Sequence, residues 1–146
     1  MANRIAYYID SEGADEHALE LGLFWLGRTI RHHRVRAAWL AVRSKDSLME
    51  GILPRVLGEA QCRALAGDDE VIFNGAALNL FTSRRRGVVP SGPMLAVYPD
   101  GVLLRKIQAL REVTDLLVLP WSRSDVTEWA RASGAIAIPP HYPSDP

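Results

Sequence analysis

The chain has 146 residues, a length that suits one domain with a full hydrophobic core. Lysine plus arginine and aspartate plus glutamate number 17 each, so no overall charge draws the molecule to nucleic acid or to an anionic membrane. The single cysteine, Cys62, excludes an intramolecular disulfide and a zinc site built from cysteines.

The first half of the chain alternates apolar runs with helical patterns. Ile5–Ile9 is typical of a strand, and residues 14–32 are typical of a helix because their leucines and isoleucine recur with helical spacing. Val35–Val42 predicts a second strand. Residues 44–66 also have a helical pattern, but Pro54 interrupts it. We therefore expect either a kink or two short helices, the second beginning at Pro54.

The middle of the chain allows two interpretations. After the strand Val71–Phe73, the dipeptide Asn74-Gly75 is typical of a hairpin turn, which would make Ala77–Thr82 an antiparallel strand. Alternatively, Ala76–Phe81 forms one helical turn. The connection Thr82–Pro93 is long, polar and rich in Gly and Pro, and loops of this kind are usually functional or disordered.

The last third of the chain repeats a strand and helix unit. Asp100 is placed to cap the first helix, and Ser122 or Ser124 to cap the second, where Ser122–Asp125 has capping-box spacing. Gly134 is placed to end that helix in a left-handed conformation. The strands predicted here are Met94–Tyr98, Asp115–Leu119 and Ala135–Ile138.

Nearly continuous apolar strands that alternate with helices favour a parallel sheet covered on both faces. We expect an α/β fold, a three-layer α/β/α domain with a mostly parallel sheet of five to six strands. It is Rossmann-like or flavodoxin-like, with the strand order left open. The domain is expected to span residues 1–138, and residues 139–146 to form a proline-rich, extended tail.

Ligands of open parallel sheets bind outside the carboxyl ends of the strands. On this rule we expect Asp10, Asn74, Ser122 and Asp125 to border a ligand-binding site, although the same residue types also cap helices and form turns. The arginine triplet Arg84, Arg85 and Arg86 is the one local concentration of charge. Three guanidinium groups can clamp a phosphate or line a nucleic-acid backbone, and the alternative is a solvated loop without a partner.

The sequence lacks the motifs of several common metal-binding, hydrolytic and nucleotide-binding sites. The four histidines (His17, His32, His33 and His141) have no metal-binding spacing, so no metal site is expected. The chain contains no GxSxG, no P-loop and no GxGxxG, which disfavours a hydrolase elbow and the usual nucleotide fingerprints. No cofactor and no enzymatic activity are therefore assigned from motifs.

Two stretches resemble PIN-like and NYN-type nucleases. Ile5–Asp10 is similar to their first strand, which ends in a metal-binding aspartate, and Asp115–Asp125 is similar to their late strand with clustered aspartates. The resemblance implies Mg²⁺ or Mn²⁺ held by Asp10 and Asp125, with Asp100 as a third candidate, to activate water against a phosphodiester. The sequence departs from the pattern at Arg123, where an acidic residue would be expected.

The leading hypothesis is a small soluble binding or interaction module for a phosphate-bearing ligand or a protein partner, with the nuclease as the alternative. No apolar segment is long enough to span a membrane and no leader peptide is recognisable, so we expect a cytoplasmic protein. Leu21, Phe24 and Trp25 lie outside the core stripe of the first helix, which points to an apolar surface covered by a second copy of the chain, as in a homo-oligomer, or by another chain.

Overall fold

Seven strands form one sheet in residues 4–140, the part of the chain that the computed structural model describes. The strands are β1 (Ile5–Ile9), β2 (Ala37–Ala41), β3 (Val71–Phe73), β4 (Ala76–Phe81), β5 (Gly92–Val97), β6 (Val113–Leu119) and β7 (Ile136–Ile138). The helices are α1 (Glu16–His33), α2 (Leu53–Leu57), α3 (Glu59–Ala66), α4 (Gly101–Gln108) and α5 (Arg123–Ser133), with a 3-10 helix at Lys45–Met49.

The strand order is β3-β4-β2-β5-β6-β1-β7, and every neighbouring pair is parallel except β3 and β4. The expected three-layer α/β class with a mostly parallel sheet is confirmed, with seven strands rather than five or six. The order differs from both the Rossmann and the flavodoxin order, because β1 lies between β6 and β7 instead of next to β2.

The seventh strand is β4, which forms a hairpin with β3. Asn74 and Gly75 connect them, with φ of 49° and 86°, and Phe73 faces Ala76 across the turn. Both turn residues need positive φ in a two-residue hairpin, which Asn-Gly tolerates best. The hairpin interpretation is therefore confirmed, and the helical turn at 76–81 is wrong.

Helices cover both faces of the sheet and create two cores. The first core joins α1 to the 3-10 helix, α2 and α3, and contains the buried side chains of Leu19, Leu40 and Leu117. The second joins α4 and α5 to the opposite face, where Ile107 and Val126 pack on alternate strand residues. Burial on both faces explains why the central strands are apolar at nearly every position.

Capping residues predicted from the sequence mark the ends of α4 and α5. Asp100 caps α4 by accepting a hydrogen bond from the Leu103 N–H at 2.8 Å. Ser122, rather than Ser124, caps α5 through a complete capping box, and Gly134 ends that helix at φ 67°. Between β2 and β3 the chain forms three short helical pieces rather than one kinked helix or two short ones, and Pro54 is the second residue of α2 instead of its first.

Three sequence predictions concern the surface and the ends of the chain. In residues 4–140 no helix is long and apolar enough to cross a membrane. Phe24 is 53% exposed on α1, whereas Trp25 packs edge-on against Tyr7; self-association remains a prediction. Pro139 and Pro140 follow β7 outside any helix or strand, and the rest of the expected tail, residues 141–146, lies outside the described residues.

Candidate ligand-binding site

The carboxyl ends of β2 and β5 lie side by side, and the chain leaves them toward opposite faces of the sheet. After β2 it enters the core of α1, where Leu48 and Leu53 are buried. After β5 it enters the opposite core through Leu103 of α4. Because the two connections diverge, they leave a crevice above the strand ends, which is where open α/β sheets bind ligands.

This crevice contains a cavity of about 620 Å³, which we name the switch-point cavity. Arg43 and residues 97–101 form its walls at the ends of β2 and β5. Glu50–Leu53 and Trp121 close the sides, while Val42 and Val97, both buried, contribute apolar surface. The volume and the mixture of apolar and polar groups are those of a small-molecule site.

Tyr98 shapes one wall in an unusual conformation. Its φ is 50°, in the left-handed region that costs a non-glycine residue about 1–3 kcal/mol. Its ring meets Trp121 edge-to-face, with centroids 5.2 Å apart and planes at 89°. Its hydroxyl is buried near the Asp15 N–H but forms no well-aligned hydrogen bond to any described residue. Burial raises the pKa of Tyr98, and that N–H offsets part of the rise.

A second cavity, of about 490 Å³, lies beside the first at the ends of β2 and β4. We name it the basic cavity. Arg43 lines both cavities, and five cationic side chains face the second: Arg43, Lys45, Arg84, Arg85 and Arg86. Two carboxylates, Asp46 and Asp68, accompany them. Asp68 accepts from the Lys45 ammonium at 3.0 Å and from Arg85 at 2.7 Å.

The loop that carries the arginines is anchored to both neighbouring elements. The Ser83 hydroxyl donates to the Arg43 carbonyl at 3.4 Å, and the Lys106 ammonium of α4 donates to the Ser83 carbonyl. Val88 packs against the core beneath α4 and α5. Together with the Arg85–Asp68 ion pair, these contacts hold the arginine triplet over the basic cavity.

The other sequence-predicted site residues are not all brought together. Asp125 lines the switch-point cavity, and its carboxylate accepts from the Ser122 N–H at 3.2 Å to cap α5. Asp10 borders a different cavity, with Arg123. Asn74 lies at the opposite edge of the sheet, because β3 runs antiparallel and its carboxyl end points the other way.

The carboxylates of the nuclease resemblance already have other partners. Asp10 accepts from the Arg123 Nε at 2.6 Å, and Asp100 and Asp125 accept from backbone N–H groups at helix starts. Between residues 4 and 140, no three His, Cys, Asp or Glu side chains are grouped closely enough to hold a metal ion. Nothing in this arrangement favours the nuclease over the binding hypothesis.

Sequence reasoning missed Arg43, Asp68, Tyr98 and Trp121. Arg43 and Trp121 each come within two residues of the end of a strand, so the rule that ligands bind at the carboxyl ends of strands could have identified them. The two tryptophans that lie in or just after strands differ in exposure: Trp39 is 9% exposed, whereas Trp121 is 53% exposed and therefore accessible to a ligand. That difference depends on which elements pack together and leaves no signal in the local pattern.

Comparisons with known proteins add no family to this description. No protein-family model matches the chain, and neither the curated proteins nor the solved structures that were searched contain a match.

Proposed function

We propose that this protein binds a phosphate-bearing small molecule, with the phosphate in the basic cavity. The observation that carries the proposal is the convergence of five cationic side chains from two separate segments, Arg43 and Lys45 on one and Arg84–Arg86 on the other. They face only two carboxylates in a protein whose charged residues balance at 17 and 17. The cluster is thus a local feature and not a consequence of basic composition.

Guanidinium groups suit phosphate because their donors match two oxygens at once. Mutual repulsion makes such a cluster costly without an anion, and Asp68 neutralises only part of it. A bound phosphate would supply the missing negative charge. The volume of the cavity, about 490 Å³, is in the range of small-ligand sites, whereas a polymer would need a continuous groove.

Isothermal titration with inorganic diphosphate tests the proposal. Changing Arg84–Arg86 together to alanine is expected to weaken binding by at least about tenfold, because several charge-assisted hydrogen bonds are lost. The matched control changes Arg28, Arg31 and Arg36, which are exposed and lie near the far end of α1, to alanine. This removes the same charge and should leave the affinity unchanged.

Three outcomes would contradict the proposal. Absence of diphosphate binding by the wild type removes it directly. Equal losses in the two triple variants would mean that overall charge, and not the basic cavity, attracts the anion. A single-stranded oligonucleotide that binds much more tightly than diphosphate would point instead to a nucleic-acid partner.

A further inference from the structure

We infer that the phosphate-bearing ligand is a nucleotide, whose base occupies the switch-point cavity while its phosphates occupy the basic cavity. This inference rests on the proposed function. Arg43 lines both cavities, which places them next to each other, and a ligand that extends past this side chain reaches from one into the other. Their chemistries differ, and a nucleotide is the common ligand class that combines a planar ring, hydroxyl groups and phosphates.

Trp121 provides the surface for the ring. Its indole is 53% exposed on the cavity wall, and its carbonyl accepts from the Gly13 N–H at 2.6 Å, which fixes the backbone at this position. Tyr98 meets it at 89°, so this partner covers at most one face of the indole. An uncovered indole face in a cavity is suited to stacking with a nucleobase.

The remaining walls fit the rest of a nucleoside. Val42, Leu53 and Val97 are buried apolar residues beneath the cavity, and they can contact a ring without desolvating a polar group. Glu50 and Asp100 add carboxylates. One Asp100 oxygen already accepts from Leu103, which leaves the other able to accept from ribose hydroxyls or an exocyclic amino group.

The distribution of charge also determines which end of the ligand occupies which cavity. Glu50, Asp100 and Asp125 disfavour a phosphate in the switch-point cavity, whereas Lys45 and the arginine triplet favour it in the basic cavity. Inorganic phosphate would leave the first cavity unused, and an uncharged aromatic compound would leave the cations without an anion. A nucleotide matches both parts in one orientation.

Titration of the four common nucleoside diphosphates, with inorganic diphosphate as the reference, tests the inference. At least one nucleotide is expected to bind about tenfold more tightly than diphosphate, because the base adds a stacking contact. Trp121→Ala should weaken nucleotide binding by roughly 5- to 100-fold and leave diphosphate binding unchanged. Phe24→Ala is the matched control, since Phe24 is equally exposed at 53% but lies on α1 beside another cavity.

A second variant keeps the result interpretable if Trp121→Ala fails to fold. Trp121→Phe retains an aromatic face, so it should keep most of the affinity while abolishing the nucleotide-induced change in tryptophan fluorescence. If diphosphate binds and no nucleotide binds more tightly, or if the fluorescence change survives in Trp121→Phe, the nucleotide inference is overturned and the phosphate proposal stands. If neither diphosphate nor any nucleotide binds, both are overturned.

Discussion

Arg123 at the start of α5 binds Asp10 at the end of β1, with 2.6 Å between its Nε and the carboxylate Oδ1. Its backbone N–H also donates to the Glu12 carboxylate at 2.8 Å. The neighbouring strands β1 and β6 also lead to opposite faces of the sheet, β1 to α1 and β6 to α5. The contacts of Arg123 bridge the gap between these two connections. They tie these two strand ends together, while the crevice between β2 and β5 stays open.

Asp10→Asn should therefore leave diphosphate and nucleotide affinity unchanged. Both groups of the ion pair are largely exposed, so the melting temperature should fall only slightly. Asp100→Asn is the comparison variant, because Asp100 lines the switch-point cavity and its loss should weaken nucleotide binding. A loss of affinity in Asp10→Asn would contradict this prediction. Cleavage of labelled RNA or DNA with Mn²⁺ that disappears in Asp10→Asn would revive the nuclease hypothesis.

Asp68→Asn should strengthen diphosphate binding severalfold. Lys45 and then Arg85 hold the pKa of Asp68 below its usual range, so its carboxylate is ionised at neutral pH and competes with a ligand for both cations. Any stability from these ion pairs is present above the ordinary pKa of aspartate and is lost as the pH falls through the lowered value. Calorimetry at neutral pH measures the change in affinity.

Asp69→Asn is the control for that experiment, because it removes the same charge from the adjacent exposed position. Equal gains in the two variants would mean that net charge alone is responsible. A weaker affinity in Asp68→Asn would show that the carboxylate positions Arg85 for the ligand and does not compete with it.

Gly27→Ala tests the contact between α1 and the hairpin. Alanine normally stabilises a helix interior by about 1 kcal/mol relative to glycine. At this position the new Cβ would lie 1.8 Å from the Asn74 Nδ2, so the gain should be lost to displacement of the amide. Glycine at position 74 keeps the positive φ and has no side chain to displace. In an Asn74→Gly background, Gly27→Ala should therefore recover the gain in stability.

Urea unfolding of the four proteins in this double-mutant cycle gives the coupling free energy, expected to be about 1 kcal/mol. Additive effects would show that Asn74 moves away without cost. Diphosphate affinity measured on the same proteins should not change, since Asn74 lies at the opposite edge of the sheet from the basic cavity.

Tyr98→Phe should reduce the loss of stability that occurs as the pH rises into the alkaline range. Burial raises the pKa of Tyr98, so the unfolded chain releases this proton first as the pH approaches about 10. The free energy of unfolding of the wild type should consequently fall faster than that of the variant above the ordinary tyrosine pKa. Denaturant titrations at neutral and alkaline pH measure the difference, and parallel curves for both proteins would refute it.

Local patterns in the sequence determined much of the fold. The caps at Asp100 and Ser122, the turn at Asn74 and Gly75, and the apolar strands all depend on residues close in the chain. Their backbone geometry follows from short-range sterics and hydrogen bonds, which a sequence shows directly. The class of the sheet followed from strands that are apolar on both faces.

Tertiary packing decided the strand order and the site. Asp10 meets Arg123 across 113 positions and Asp68 meets Arg85 across 17, so neither pair is visible in a local pattern. Strand order depends on which apolar faces are buried most favourably together, a sum over the whole core that no single segment contains. Parallel pairing in that order brings Arg43, Trp121 and the arginine triplet to one edge of the sheet, and the antiparallel pairing of β3 places Asn74 at the opposite edge.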